Sequence, residues 1–142
     1  MSCPCFEPIE PRPCAAASRR AMLPLGDAWT GICHAVPDQL LRPDDSQLDT
    51  FCNFGYARGH CPRFPADCGP DAVRFTIVSD DGAALRLYYV LERDHRPFAH
   101  GPLEFSVARG ELTTPAEGEL TGRQAGAYAA SYLRRRSEFQ RR

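Results

Sequence analysis

Val73-Arg-Phe-Thr-Ile-Val-Ser-Asp80-Asp-Gly82-Ala-Ala-Leu85-Arg-Leu-Tyr-Tyr-Val-Leu91 decides the fold class of this chain. Within Ala72–Ser79, Val73, Phe75 and Ile77 alternate with Arg74 and Thr76, the period-two pattern of a half-buried strand. Asp80-Asp-Gly82 supplies a tight turn, because Asp-Gly between two apolar alternations accommodates the left-handed backbone of a hairpin. The partner strand spans Ala84–Glu92, with Leu85, Leu87, Tyr89 and Leu91 on one face. Downstream, 93–101 (Arg-Asp-His-Arg-Pro-Phe-Ala-His-Gly) reads as a loop. A third alternation then follows at Leu103, Phe105 and Val107. The expectation is a three-stranded antiparallel meander.

A C-terminal helix follows. Thr114 is a good N-cap, Pro115 suits the first helical position and Glu117 completes a capping box. Leu120, Ala125, Tyr128, Ala129, Tyr132 and Leu133 recur at helical spacing on one side. Gly118, Gly122 and Gly126 form another stripe. Each glycine costs about 1 kcal/mol relative to alanine, so the stripe is expected to serve close backbone packing on the sheet or the cysteine-rich half, with a dimer contact as the alternative.

Upstream the character changes. Ten of the 13 prolines fall in residues 1–70 and interrupt every long helix or central strand there. Short helical turns are expected at Asp38–Leu41 and Gln47–Phe51, with Leu23, Leu25, Trp29, Ile32 and Phe51 as a small core. The fold expected is α+β in a single domain over 1–142: an irregular proline- and cysteine-rich lobe (1–70) and a sheet-plus-helix scaffold (71–142).

Composition narrows function. The 142 residues carry 17 basic and 18 acidic side chains, a balance that argues against binding nucleic acid through overall charge. No apolar run reaches the length of a membrane span. Every basic residue is arginine, which excludes Schiff-base and P-loop lysine chemistry. All seven cysteines, Cys3, Cys5, Cys14, Cys33, Cys52, Cys61 and Cys68, lie in the first 68 residues. The opening Met-Ser-Cys-Pro-Cys-Phe-Glu-Pro has neither the basic nor the apolar region of a secretory signal, so a reducing cytoplasm is the expected compartment. An odd number of thiols gathered in such a compartment points to metal or iron–sulfur ligation rather than to disulfides.

Spacing separates the candidate metals. Structural zinc usually takes ligands paired two to four residues apart, and the chain has no C-x-x-C. Dispersed single cysteines suit a cubane cluster, which accepts one thiolate from each of four loops. Zinc, and thiols with no metal, stay as alternatives. Gly31, Gly55 and Gly59 give the close approach that a thiolate centre requires.

Cys3-Pro-x-Phe-x-Pro8, Leu23-Pro-Leu-Gly-Asp27, Gly31-x-Cys33, Cys52-Asn-x-Gly-Tyr-Ala57 with Cys61-x-Arg-Phe-Pro65, and Glu92-Arg-Asp-His95 resemble the motifs of a bacterial protein family that has no established activity. The resemblance runs over nearly the whole chain and is most specific at Cys52–Pro65. It implies a ligand set of Cys3, Cys33, Cys52 and Cys61, the number that a [4Fe–4S] cubane or a tetrahedral metal needs. At the position of Cys5 the family often has tyrosine, and Cys14 and Cys68 match no motif, so these three are auxiliary. The expected function is a small cytoplasmic iron–sulfur protein with an electron-transfer or redox role. The alternative is a zinc-stabilised structural or adaptor protein without catalytic activity.

Around those ligands, His34 and His60 could hydrogen-bond to a cluster sulfur, and Tyr56 and Arg58 could pack over it or meet a partner. Asp94, His95 and His100 share one inter-strand loop and could form a carboxylate–imidazole pair. No serine or free cysteine beside them has a nucleophile's context, so an enzyme is not the expected class. The tail Arg134–Arg142 holds five arginines against one glutamate, a solvated helix end or a docking site for an acidic redox partner. The oligomeric state is open.

Overall fold

A computed structural model describes residues 1–12, 24–36, 38–65, 69–116 and 118–140, the last three by backbone alone. The class is α+β, with antiparallel sheets and a C-terminal helix. Strands β1 (Phe6–Pro11) and β2 (Trp29–Cys33) form a two-stranded ribbon. Strands β3 (Ala72–Asp80), β4 (Ala84–Arg93), β5 (Arg96–Ser106) and β6 (Glu111–Leu112) form a four-stranded sheet in that order. Between the sheets, a short helix α1 (Asp45–Gln47) runs into one turn of π-helix, Leu48–Cys52. Helix α2 (Glu119–Gln140) ends the described chain.

The expected alternation holds through the hairpin. Val73, Phe75, Leu85, Leu87, Tyr89, Leu91, Leu103 and Phe105 are buried, while Arg74 and Thr76 are exposed. At the turn, Asp80 accepts the Gly82 N–H and Asp81 accepts those of Ala83 and Ala84. A register shift between Ile77 and Ser79 leaves Val78 outside the core, 58% exposed.

The meander is larger than expected in two places, and the lobe before it is more regular. The expected loop at 93–101 is mostly strand: β4 and β5 pair as far as Arg93 with Arg96, and Asp94 and His95 alone make the turn, both left-handed at φ 55° and 62°. Pro97 and Pro102 conceal this strand in the sequence. They are tolerated because β6 pairs only with Phe105 and Ser106, so most of β5 is an edge whose missing N–H groups need no partner. Next, β6 adds a fourth strand, extended by the Thr113 N–H, which donates to the Glu104 carbonyl at 2.8 Å. That bond ties Thr113 to the sheet, and helix α2 begins at Glu119, beyond the expected cap at Thr114. Glu117 lies outside the described residues. Finally, the lobe is not wholly irregular, since β1 and β2 pair despite Pro8 and Pro11, with a shift between Pro8 and Glu10.

Other expectations fail locally. Asp38–Leu41 is not helical; Leu41 instead makes an antiparallel bridge to Cys33. The turn expected at Gln47–Phe51 is present, capped by a reciprocal Asp44–Gln47 box. Leu25 and Trp29 are core, Ile32 and Phe51 only half-buried, and Leu23 lies outside the described residues. The glycine stripe does not serve close packing. A Cβ at Gly118 or Gly126 would meet nothing within 4 Å, and one at Gly122 would make ordinary contact with Ala116 and Leu112.

One hydrophobic cluster joins the two halves: Cys3, Phe6, Leu25, Trp29, Leu48 and Cys52 pack with the sheet and with Ala125, Ala127 and Ala129 of α2. Ser2 bridges Val73, exchanging N–H···O bonds of 2.7 and 2.9 Å, so the first residues are attached to the outer edge of β3.

Candidate metal centre

Backbone bonds join two of the expected ligands directly, Cys3 and Cys52, and tie Cys5 to the residue after Cys33. The Cys3 N–H donates to the Cys52 carbonyl at 3.1 Å. Buried Gln124 of α2 donates its amide to the carbonyls of Cys3 and Phe6, both at 2.7 Å, and accepts the Ser2 hydroxyl at 2.9 Å. Cys33 ends β2 opposite Phe6, and the Cys5 carbonyl accepts the His34 N–H at 2.9 Å. Cys52 closes the π-turn. Asn53, fully buried beside it, accepts the Trp29 N–H at 3.0 Å and donates to the carbonyls of Trp29 and Leu48 at 3.1 Å each. Cys61 sits in a tight turn, its N–H on the Ala57 carbonyl at 2.8 Å.

Two of the expected glycines serve close approach. A Cβ on Gly31 would stand 1.9 Å from the Glu7 carbonyl oxygen, and one on Gly55 3.0 Å from Ala72 Cβ and the Ser2 oxygen. Gly59 has open space and is needed only for its left-handed φ of 82°.

Cys3, Cys5, Cys33, Cys52 and Cys61 are all free thiols, the first, third and fourth buried and the other two half-buried. They are linked in a ring. A hydrogen bond to Cys5, with burial behind it, pushes the Cys3 thiol well up, and Cys52 adds to the effect. Burial raises Cys33, helped by the charges of Cys5 and Cys61. Burial likewise pushes Cys52 up to about 12, reinforced by Cys33 and Cys61. Arg63 opposes both of the latter shifts, and is the cation that faces the ring. Cys3, Cys33 and Cys52 are therefore held as neutral thiols, and a metal bound by them would displace their protons. Among the described residues, no three His, Cys, Asp or Glu side chains converge closely enough to chelate a single ion.

The surrounding residues are arranged differently from expectation. His34 turns away from the ring: its Nε2 meets Glu7 at 2.7 Å, and Arg123 holds the other Glu7 oxygen at 3.0 Å. Tyr56, left-handed at φ 55°, donates its hydroxyl to Glu92 and stacks flat on His95 with centroids 4.1 Å apart. Arg58 pairs with Asp71 at 2.5 Å, donates to the carbonyls of Pro65 and Gly69, and lies 4.8 Å over the Phe64 ring. His60 is exposed. Tyr56, Arg58, His60, Asp71, Asp94 and His95 line a polar cavity of about 220 Å³. His100 is not part of it, being bonded to the Tyr88 hydroxyl farther along the sheet. A second cavity, also about 220 Å³, lies on the other side of Arg58 and has Pro4, Cys5, Phe64 and Pro65 in its wall.

Sequence reasoning missed Asn53, Gln124 and Arg63. Gln124 carried a signal, being a polar residue one turn from both Leu120 and Tyr128 on the apolar side of the helix. Asn53 and Arg63 stand in the Cys52–Pro65 motif, but they were read there only as part of the pattern and given no role of their own. Cys14 and Cys68 lie outside the described residues. The tail is partly occupied within the chain: Arg134 pairs with Asp27, and Arg136 holds Asp80 at 2.7 Å. Among the described residues, no helix is long and apolar enough to cross a membrane.

No protein-family model, curated protein or solved structure matches the chain.

Proposed function

We propose that the chain is a small iron–sulfur protein in which Cys3, Cys33, Cys52 and Cys61 hold a [4Fe–4S] cluster for one-electron transfer. One observation carries this reading: cysteines up to 58 positions apart in sequence lie near one another, Cys3 bonded through its backbone to Cys52, and Cys33 and Cys52 both within electrostatic reach of Cys61. A cubane takes one ligand from each of four separate loops. Arg63 would offset part of the anionic charge of such a centre. Four cysteines saturate the cluster and leave no iron open to a substrate, which favours electron transfer over catalysis. Five free thiols also fit a reducing cytoplasm. An acidic redox partner would meet the arginine tail, where Arg134 and Arg136 already answer Asp27 and Asp80.

Anaerobic purification of the full chain tests the reading. Brown protein containing iron and acid-labile sulfide, with a reversible one-electron signal, is the expected result. Cys3→Ser, Cys33→Ser, Cys52→Ser and Cys61→Ser should each bleach it, while Cys14→Ser and Cys68→Ser should not. Colourless protein carrying zinc would replace this reading with the structural-zinc one, and protein without metal would make the thiols core residues.

A further inference from the structure

We infer that the polar cavity beside the β4–β5 turn is a binding site for a planar organic cation, the guanidinium group of arginine or of a peptide that carries it. Tyr56, Arg58, His60, Asp71, Asp94 and His95 enclose about 220 Å³ there. No cysteine is among them, so the inference stands apart from the cluster reading. Part of the lining is already committed. Arg58 gives its Nε to Asp71 at 2.5 Å and its two terminal nitrogens to the carbonyls of Pro65 and Gly69, and Asp71 also accepts the Asp94 N–H at 2.8 Å. Behind Tyr56, Glu92 is matched by Arg74 at 3.2 Å. The groups left over belong to the exposed residues. Among the described residues, the Asp94 carboxylate and the ring nitrogens of His60 and His95 make no hydrogen bond or ion pair.

Charge and shape select the ligand. With Arg58 and Asp71 paired, the Asp94 carboxylate is the lining charge without a counterpart, which favours a cation over a phosphate or a carboxylate. Neutral imidazoles add acceptors for its N–H groups. A bare metal ion is poorly served, because no three His, Cys, Asp or Glu side chains among the described residues converge on one point. A flat cation fits. The Tyr56 and His95 rings lie parallel within 6°, with centroids 4.1 Å apart, and form a planar aromatic wall. A guanidinium stacks on such a wall and presents a fork of N–H donors to a single carboxylate, whereas a lysine ammonium is a strongly hydrated point charge with no flat face. The wall is also held in advance. Tyr56, Asp94 and His95 are three of the four non-glycine residues with left-handed backbone among the described residues, at φ 55°, 55° and 62°. A bulky side chain seldom adopts that region, and residues held there gather at binding sites, where their surroundings fix them. The fixing bonds run from the Tyr56 hydroxyl to Glu92 and from the Asp94 N–H to Asp71.

The test is a nuclear magnetic resonance titration of the full isotope-labelled chain with acetyl-arginine amide, free arginine, acetyl-lysine amide and inorganic phosphate. Acetyl-arginine amide or free arginine should move the Asp94 and His95 amide signals and bind about tenfold more tightly than acetyl-lysine amide. Tighter binding of the amide assigns the site to an arginine within a peptide, and tighter binding of the free amino acid assigns it to arginine itself; either result supports the inference. Equal binding of the arginine and lysine compounds would overturn it, as would preference for phosphate or the absence of any shift at about 50 mM ligand. Asp94→Asn keeps the turn, because asparagine adopts left-handed backbone readily, and removes the counter-charge. It should leave the thermal melt unchanged and weaken the arginine compounds about tenfold; undiminished binding would overturn the inference. The comparison of arginine with lysine uses the natural chain, so it decides the matter even if the variant does not fold.

Discussion

Replacing Asn53 by alanine removes three hydrogen bonds from one buried side chain, which makes it the sharpest probe of how the lobe is held. Two of the three go to the backbone N–H and carbonyl of buried Trp29, at the start of β2. The third goes to Leu48, whose carbonyl keeps the Asn53 N–H at 3.3 Å. A buried neutral hydrogen bond contributes about 1 kcal/mol net, and an orphaned partner costs somewhat more, so the loss should be about 3 kcal/mol. At roughly 2–4 °C per kcal/mol for a chain near this size, the melting temperature should fall by roughly 10 °C. Asn53→Asp should do no better, because its carboxylate still accepts from Trp29 but faces two carbonyls without a proton to offer. Urea denaturation of the metal-free chain, read by Trp29 fluorescence at unchanged m-value, measures the cost. A loss below about 1 kcal/mol for Asn53→Ala would show that water replaces the amide, and that Asn53 does not tie Cys33 to Cys52.

Gly31→Ala should prevent the β1–β2 ribbon from pairing, because its Cβ would meet the Glu7 carbonyl, while Gly118→Ala should be nearly silent; circular dichroism and thermal melts separate the two. Burial pushes the Asp71 carboxyl up, but Arg58 and the Asp94 N–H together hold it below its ordinary value. A lowered folded pKa means that its stabilising effect is present above the unfolded carboxylate range and lost as pH falls through the folded value. Asp71→Asn should therefore lower stability at neutral pH and flatten its decline in acid, as seen in denaturation midpoints across pH. Tyr56→Phe leaves Glu92 buried with Arg74 but without its phenol donor, and should cost about 1–3 kcal/mol by the same urea assay. Loading iron and sulfide should raise hydrogen-exchange protection at the Cys33 and Leu41 amides more than at Tyr89 or Leu103, since the thiols must close inward while the sheet is already formed.

The hairpin was legible because Val73–Leu91 states the same pattern at every level: alternation, an Asp-Gly turn and a matching partner strand. The third strand was legible from Leu103 and Phe105, but its first half and the short β6 were not, because that half of β5 carries Pro97 and Pro102 and buries few side chains. The ribbon was hidden for a related reason. Pro8 and Pro11 argue against a central strand, yet a two-stranded pair has no centre. The helix start failed where local cap chemistry at Thr114 lost to tertiary pairing, with Thr113 held by Glu104. In the candidate site, the cysteines and several neighbours were visible as residue types and motifs, but the directions of the neighbouring side chains were not. Tyr56 and Arg58 lie between two cysteines in sequence, but the left-handed turn at Tyr56 directs its side chain to Glu92. Proximity along the chain carried no information about direction.

The attachment of the first residues to Val73 and Gln124 has a consequence for the order of events during synthesis. All five ring thiols leave the ribosome early, yet the carbonyl of Cys3 is fixed by a side chain 121 positions later. Contacts of such separation close late, because the chain between them must first be ordered. The cysteines are thus gathered only once α2 is in place, and under the proposed function a cluster would be received by a finished fold; truncation before Gln124 should yield a chain that has Cys3, Cys33, Cys52 and Cys61 and cannot gather them.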